Sequence, residues 1–172
     1  MKLEHALGLM REVPDFPQPG VLFRDLTPVL ADPEALRAMT DALSGTVEPG
    51  TTVVAAIESR GFLLGSALGY GHGYGVVALR KPGKLPAVSH RVSYELEYGT
   101  ATLELPAGLI QPGQRVVVVD DVLATGGTAA AACQLVEHAG GVVTGVSVVL
   151  ELVGLGGRDR LSGYPVRTLL TL

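Results

Sequence analysis

Cysteine occurs once in the chain, as Cys133, so no internal disulfide can form. It falls inside an expected helix and reads as an inert, packed residue. No apolar run reaches the length of a membrane span, and the opening MKLEHALGLMREV is amphipathic, without a signal-peptide core. A membrane partner is therefore not expected, and a cytoplasmic location is. Positive charge is not in excess: 13 Lys and Arg stand against 17 Asp and Glu, a net charge of −4, which argues against nucleic acid as the main partner. No lysine follows the glycines of the one Gly-Thr loop, so it is not a GxxxxGK[ST] nucleotide loop. GxGxxG is missing too, even from the glycine-rich stretch 69–75, so there is no dinucleotide fingerprint. No internal repeat is visible. What remains, 172 residues of which 47% are hydrophobic and 17% charged, is expected to be one compact globular domain with a substantial core.

The chain is organised around RVVVVDDVLATGGT, residues 115–128. Four consecutive valines suit an extended backbone, and with no polar face they read as a parallel strand buried on both sides. The strand is expected to end at two acids, Asp120 and Asp121. A loop of small residues follows, Ala124-Thr125-Gly126-Gly127-Thr128, and then a helix from Ala129 to about Ala139. Glycines let the backbone approach a ligand closely, two threonines add hydroxyl donors, and a helix start adds unpaired N–H groups and a positive dipole end. That combination suits a phosphate. Two carboxylates just before it suit the hydroxyls of a sugar. An acidic strand end with an ordinary helix cap would make all of these residues incidental.

The flanking segments repeat the theme. Residues 2–12 read as a helix, and Pro17, Pro19 and Gly20 then forbid regular structure in a rigid loop that presents Phe23. From the residues alone Phe23 is either a plug over the core, the favoured reading, or a stacking platform for a flat ligand. Asp32-Pro33-Glu34 opens a helix to about Leu43. The buried strand Thr51–Ile57 ends in Glu58-Ser59-Arg60-Gly61 and a helix start, and Gly75–Leu79 runs into the basic loop Arg80-Lys81-Pro82-Gly83-Lys84. Arg60 at a strand tip suits an oxyanion, though a surface ion pair is the plainer reading. Residues 92–105 alternate about Tyr98-Gly99 as a β-hairpin, with Glu95, Glu97 and Glu104 on its wet face. Strands at 142–150 and 166–172 complete a doubly wound, mostly parallel α/β sheet with helices on both faces. In such sheets ligands bind beyond the carboxyl ends of the strands, so the tips at 58–61, 80–84 and 120–128 should converge on one cleft.

With these residues in hand, the chain resembles the type I phosphoribosyltransferases, and within them the branch that acts on adenine. VVVVDDVLATGGT looks like the family signature, and FPQPGVLFRDLTP (16–28), ESRGF (58–62), RKPGKLP (80–86) and YELEYGT (94–100) match the adenine-acting branch in order. The resemblance implies one phosphoribosyltransferase domain over residues 1–172, with a flexible loop and hood at 80–105 and the phosphate-binding strand, loop and helix at 115–139. The activity implied is transfer of the 5-phosphoribosyl group from phosphoribosyl pyrophosphate to adenine, giving AMP and pyrophosphate, with Mg²⁺ bound mainly through phosphoribosyl pyrophosphate and a homodimer as the assembly. Ala124, Thr125, Gly126, Gly127 and Thr128 would wrap the 5′-phosphate, and Asp120 and Asp121 would hold the ribose hydroxyls.

The resemblance further implies that Glu58, Ser59 and Arg60, with a cis peptide between Glu58 and Ser59, would bind pyrophosphate. Arg80, Lys81 and Lys84 would neutralise it, Arg80 reaching the neighbouring subunit's site. Leu22, Phe23 and Arg24 would form the base pocket, which turns Phe23 from plug to stacking platform. Glu97 would face N7 of adenine as general base, and Tyr98 would close over the substrates. Glu58 departs from the aspartate common in relatives, and His90 and Arg91 receive no role. The rival readings are a phosphoribosyltransferase for guanine, hypoxanthine or xanthine, and a non-catalytic regulator that senses phosphoribosyl pyrophosphate.

Overall fold

The computed structural model describes residues 1–96 and 99–172, and the chain divides into two compact units, Met1–Ala42 and Leu43–Leu172.

In the first unit a short helix α1 (Leu3–Leu7) gives way to strand β1 (Arg11–Pro14). β1 pairs antiparallel with β2 (Leu22–Asp25), matching Val13 to Phe23 and Glu12 to Arg24. The expected helix over 2–12 is thus half its length, and the expected irregular loop contains a strand. The reason is a partner remote in sequence: Arg11 and Glu12 find Asp25 and Arg24 across the pair, and no helical period within 2–12 reports that. The prolines and Gly20 are confined to the turn, where Phe16–Pro17 is cis and the Gly20 N–H donates to the Asp15 carboxylate at 2.7 Å. Helix α2 (Thr27–Ala31) follows. Helix α3 (Pro33–Ser44) starts as the sequence implies, Asp32 accepting from the Glu34 and Ala35 N–H groups at 3.0 and 2.8 Å.

The second unit is built on β3 (Val53–Ile57), α4 (Arg60–His72), β4 (Gly75–Leu79), the antiparallel hairpin β5 (Val88–Glu95) and β6 (Thr100–Pro106), β7 (Arg115–Leu123), α5 (Gly127–His138), β8 (Val142–Glu151), two 3₁₀ turns (Val153–Leu155 and Gly157–Leu161) and β9 (Val166–Thr171). Five strands form one parallel sheet in the order β4-β3-β7-β8-β9. The chain steps outward from β3 to β4 on one side and from β7 through β8 to β9 on the other. The order therefore reverses between β3 and β7, and that crevice is where such sheets bind ligands.

Helices cover both faces. A Cβ on Gly65 of α4 would come within 2.6 Å of the Ala56 Cβ and 3.3 Å of Val54 Cγ1, so glycine lets this helix lie directly on one face of β3. Val53, Ala55 and Ile57 point the other way, into the main core with Val116, Val118, Ala131, Ala132, Leu135 and Leu103. The hairpin is tied to the sheet edge by paired backbone bonds between Arg80 and Glu104, 3.0 and 2.7 Å. Glu104, expected on the wet face, is instead 3% exposed and ion-paired with Arg91 at 3.3 Å, because its strand packs against the end of β4. Glu95 does face solvent.

Candidate active site

β7 does not stop at the acids. It runs through Asp120 and Asp121 to Leu123, because β8 continues beside it and pairs Asp120 with Val148, Val122 with Leu150 and Leu123 with Glu151. The two carboxylates are therefore fixed on the last turns of a central strand rather than carried on a loop. Asp121 is buried and paired with Nε of Arg60, the first residue of α4. Asp120 accepts from the Asp121 N–H at 2.9 Å. Burial, and then the neighbouring Asp121 charge, push the Asp120 carboxyl well above the ordinary aspartate range.

Beyond Leu123 the loop is short. Gly126 takes a left-handed φ of +84°, and its carbonyl accepts from the Ala130 N–H at 2.9 Å, so α5 starts at Gly127, earlier than the sequence implies. The N–H groups of its first turn have no partner within the helix, which leaves donors and a positive dipole end at the mouth of the crevice. Thr125 is exposed and Thr128 half-buried there.

The neighbouring tip belongs to β3. The Glu58–Ser59 peptide is cis, and the Glu58 N–H donates to the Leu79 carbonyl at 3.1 Å, so the turn after β3 is pinned to the end of β4. The Glu58 carboxylate gathers the basic loop: Lys84 Nζ at 2.5 Å, the Lys81 N–H at 2.8 Å and Arg80 Nε at 3.2 Å. Burial alone would raise this carboxyl, but those three donors outweigh it and hold it down at about 2. The Arg80 guanidinium also lies 5.5 Å over the Phe62 ring. The tips at 58–61, 80–84 and 120–128 thus meet at one end of the sheet, linked by the Arg60–Asp121 and Glu58–Arg80 ion pairs.

In the first unit Leu22, Phe23 and Arg24 lie on β2. Arg24 pairs with Glu12, and the Phe23 ring meets Phe16 edge-on with centroids 5.1 Å apart. A plug would be fully buried. Phe23 is only half-buried, while Leu26, three residues on, is the buried side chain. Glu97 and Tyr98 lie outside the described residues.

Three features escaped the sequence. The Tyr94 hydroxyl on β5 sits 2.9 Å from the Thr128 hydroxyl. Gly157 backs the Gly-Thr loop so closely that a Cβ there would come 2.4 Å from the Ala124 carbonyl oxygen. Behind it Arg158 chelates the buried Glu151 through two bonds of 2.6 and 2.7 Å and donates to the Val166 carbonyl at 3.0 Å. The first two join residues far apart in the chain. The seven-residue step from Glu151 to Arg158 is the one local trace, and it runs from a strand end into a 3₁₀ turn rather than along one regular element.

A strand-end pair of carboxylates, a Gly-Thr loop opening a helix and a neighbouring basic loop define a domain built to hold a phosphorylated sugar with a further anionic group. A family model described as the phosphoribosyl transferase domain matches residues 27–164. Adenine phosphoribosyltransferase of Saccharopolyspora erythraea is 60% identical over 99% of this chain and 92% of that protein. Among solved structures, adenine phosphoribosyltransferase of Thermoanaerobacter pseudethanolicus superposes with a TM-score of 0.96 at 46% identity, covering 99% of this chain and 100% of the other. The Saccharomyces cerevisiae enzyme, in complex with adenine and an imino-altritol bisphosphate, gives 0.93 at 37% identity over 98% of each chain. The chain belongs to the adenine phosphoribosyltransferase family.

Proposed function

We propose that this chain transfers the 5-phosphoribosyl group from phosphoribosyl pyrophosphate to adenine, releasing AMP and pyrophosphate. The observation that carries the reading is the meeting of three tips at one sheet end: the paired acids with the Gly-Thr loop at a helix start, the turn at 58–61, and the basic loop at 80–84. Family membership supports the choice of adenine.

In the reaction the C1–pyrophosphate bond of the sugar breaks as adenine N9 bonds to C1, and positive charge develops on the ring, as in glycoside cleavage. Catalysis is then a matter of position and electrostatics. The N–H groups and hydroxyls of Ala124–Thr128 hold the 5′-phosphate. Asp120 and Asp121 accept from the ribose hydroxyls, with Arg60 keeping Asp121 in place. Arg60, Arg80, Lys81 and Lys84 receive pyrophosphate, and the Glu58 carboxylate, which would repel it, contributes by holding three of these donors ready. Leu22 and Arg24 read the base edge and Phe23 stacks on it. Glu97 takes the N7 proton as general base, and closure of the hood with Tyr98 excludes water.

Mg²⁺ fits this donor set as an ion brought by the diphosphate. Asp120 and Asp121 offer hard oxygens, and among the described residues no cluster of three or more His, Cys, Asp or Glu forms a cage. Asp120 and Asp121 would be the side chains beside such an ion, which would supply positive charge to the diphosphate. Phosphorylated substrates do not cross bilayers, so the enzyme is assigned to the cytoplasm where they are made. We take the 172 residues as one functional domain that works as a homodimer, a state supported by Leu63 and Tyr70 exposed along α4, the latter at 97%. Light scattering at the mass of one chain would reject the dimer.

The deciding measurement is AMP formation from adenine and phosphoribosyl pyrophosphate, with and without Mg²⁺. The expected result is Mg²⁺-dependent AMP. Preferential use of hypoxanthine or guanine would reject the base assignment, and binding of phosphoribosyl pyrophosphate without turnover would make the chain a sensor.

A further inference from the structure

We infer that Tyr94 is a positioning residue for the 5′-phosphate, acting through the hydroxyl of Thr128. The inference rests on the assignment of residues 124–128 to that phosphate. Tyr94 stands on β5 opposite Ala101, its half-buried ring packed against the main core and its hydroxyl 2.9 Å from Thr128 Oγ1. Gly127 lies against the edge of the ring. A Cβ at 127 would come 3.1 Å from Tyr94 Cδ2 and 3.2 Å from Arg160 Nη1, so the absence of a side chain there is what admits the ring edge against the loop.

Each of the two hydroxyls carries one proton and can accept as well as donate. Alone, the pair can orient either way. A phosphate dianion at the start of α5 only accepts, and that leaves one order. Tyr94 O–H donates to Thr128 Oγ1, and Thr128 O–H donates to the phosphate. Donation from the phenol polarises the threonine hydroxyl and makes its proton a better donor, as in any hydrogen-bond chain in a low dielectric. Tyr94 itself touches no substrate atom in this scheme. The tyrosine is three residues before Glu97 in the chain, so the same bond ties the strand leading to the proposed base to the phosphate loop.

The test is a double-mutant cycle read by calorimetric binding of ribose 5-phosphate to the full chain, using Tyr94→Phe, Thr128→Val and both together. Tyr94→Phe should weaken binding by about three- to tenfold, the worth of one hydrogen bond between neutral groups. It should raise KM for phosphoribosyl pyrophosphate and leave KM for adenine unchanged. Thr128→Val should weaken binding at least as much, and the double variant should match Thr128→Val alone. Wild-type affinity in Tyr94→Phe, or losses that simply multiply in the double variant, would overturn the inference. Fluorotyrosine at position 94, a stronger donor with the same ring, should tighten ribose 5-phosphate binding, and unchanged affinity there would overturn it even if Tyr94→Phe failed to fold. Wild-type AMP formation is measured alongside. A cycle that behaves as expected in a chain forming no AMP leaves the positioning role standing and removes the proposed reaction. A wild-type chain that binds no ribose 5-phosphate removes both.

Discussion

At the back of the Gly-Thr loop two glycines touch. A Cβ on Gly126 would come 2.4 Å from the Gly157 carbonyl oxygen, and one on Gly157 would come 2.4 Å from the Ala124 carbonyl oxygen. Neither neighbour is a side-chain tip that can swing aside. Gly157→Ala should therefore destabilise the fold by about 1–3 kcal/mol, the usual cost of overpacking, and raise KM for phosphoribosyl pyrophosphate. Denaturant unfolding and steady-state kinetics check both. The proton chemistry is probed at Glu97, where replacement by Gln should lower kcat strongly with little change in phosphoribosyl pyrophosphate affinity, and near-normal turnover would sink the general-base role. Cys133 is the opposite case. It is 0% exposed, and burial pushes its thiol up to about 12. A maleimide reagent should leave the folded chain unlabelled and react once it is unfolded.

At the scale of elements, a side-chain chelate anchors the segment after β8, beside backbone bonds of 2.9 Å from the Leu152 N–H to the Leu123 carbonyl and from the Val153 N–H to the Leu172 carbonyl. Arg158 binds Glu151, whose side chain is only 6% exposed, and thereby keeps the 3₁₀ turn with Gly157 against the Gly-Thr loop. Arg158→Ala would strand a buried carboxylate and is expected to cost about 2–3 kcal/mol. The same variant should weaken phosphate binding without touching the phosphate, and chemical denaturation with ribose 5-phosphate titration separates the two effects. Which elements were legible follows from where their partners lie. The valine run of β7, the capped start of α3 and the strand Gly75–Leu79 carry their signal locally, and each stands where the sequence implies. The extension of β7 through both aspartates depends on β8 pairing alongside it. The replacement of the end of an expected helix by β1 depends on β2. No local period reports either.

For the molecule as a whole, the depressed pKa of Glu58 sets a pH window. Its folded value of about 2 lies below the ordinary 4.5, so the folded state binds a proton more weakly than the unfolded state does. That contribution to stability is complete above about pH 4.5 and is lost as pH falls through about 2. Glu58→Gln should flatten this part of the acid limb in a melting-temperature series, and because it releases Arg80 and Lys84 it should also raise KM for phosphoribosyl pyrophosphate. An unchanged acid limb would show that the basic loop is held by other means.

Read alone, the amino-acid sequence determined the parallel α/β class, the Gly-Thr loop at a helix start, the acid pair and the family, because these rest on runs of neighbouring residues: β-branched stretches, glycines where a helix begins, adjacent carboxylates. The tertiary structure decided how they are joined. It put Arg60 on Asp121, wrapped three basic-loop donors around Glu58, buried Glu104 and set Tyr94 on Thr128. Each of those contacts spans a gap in the chain that only a packed sheet can close, and whether a charge faces water or another charge is settled only once that packing exists.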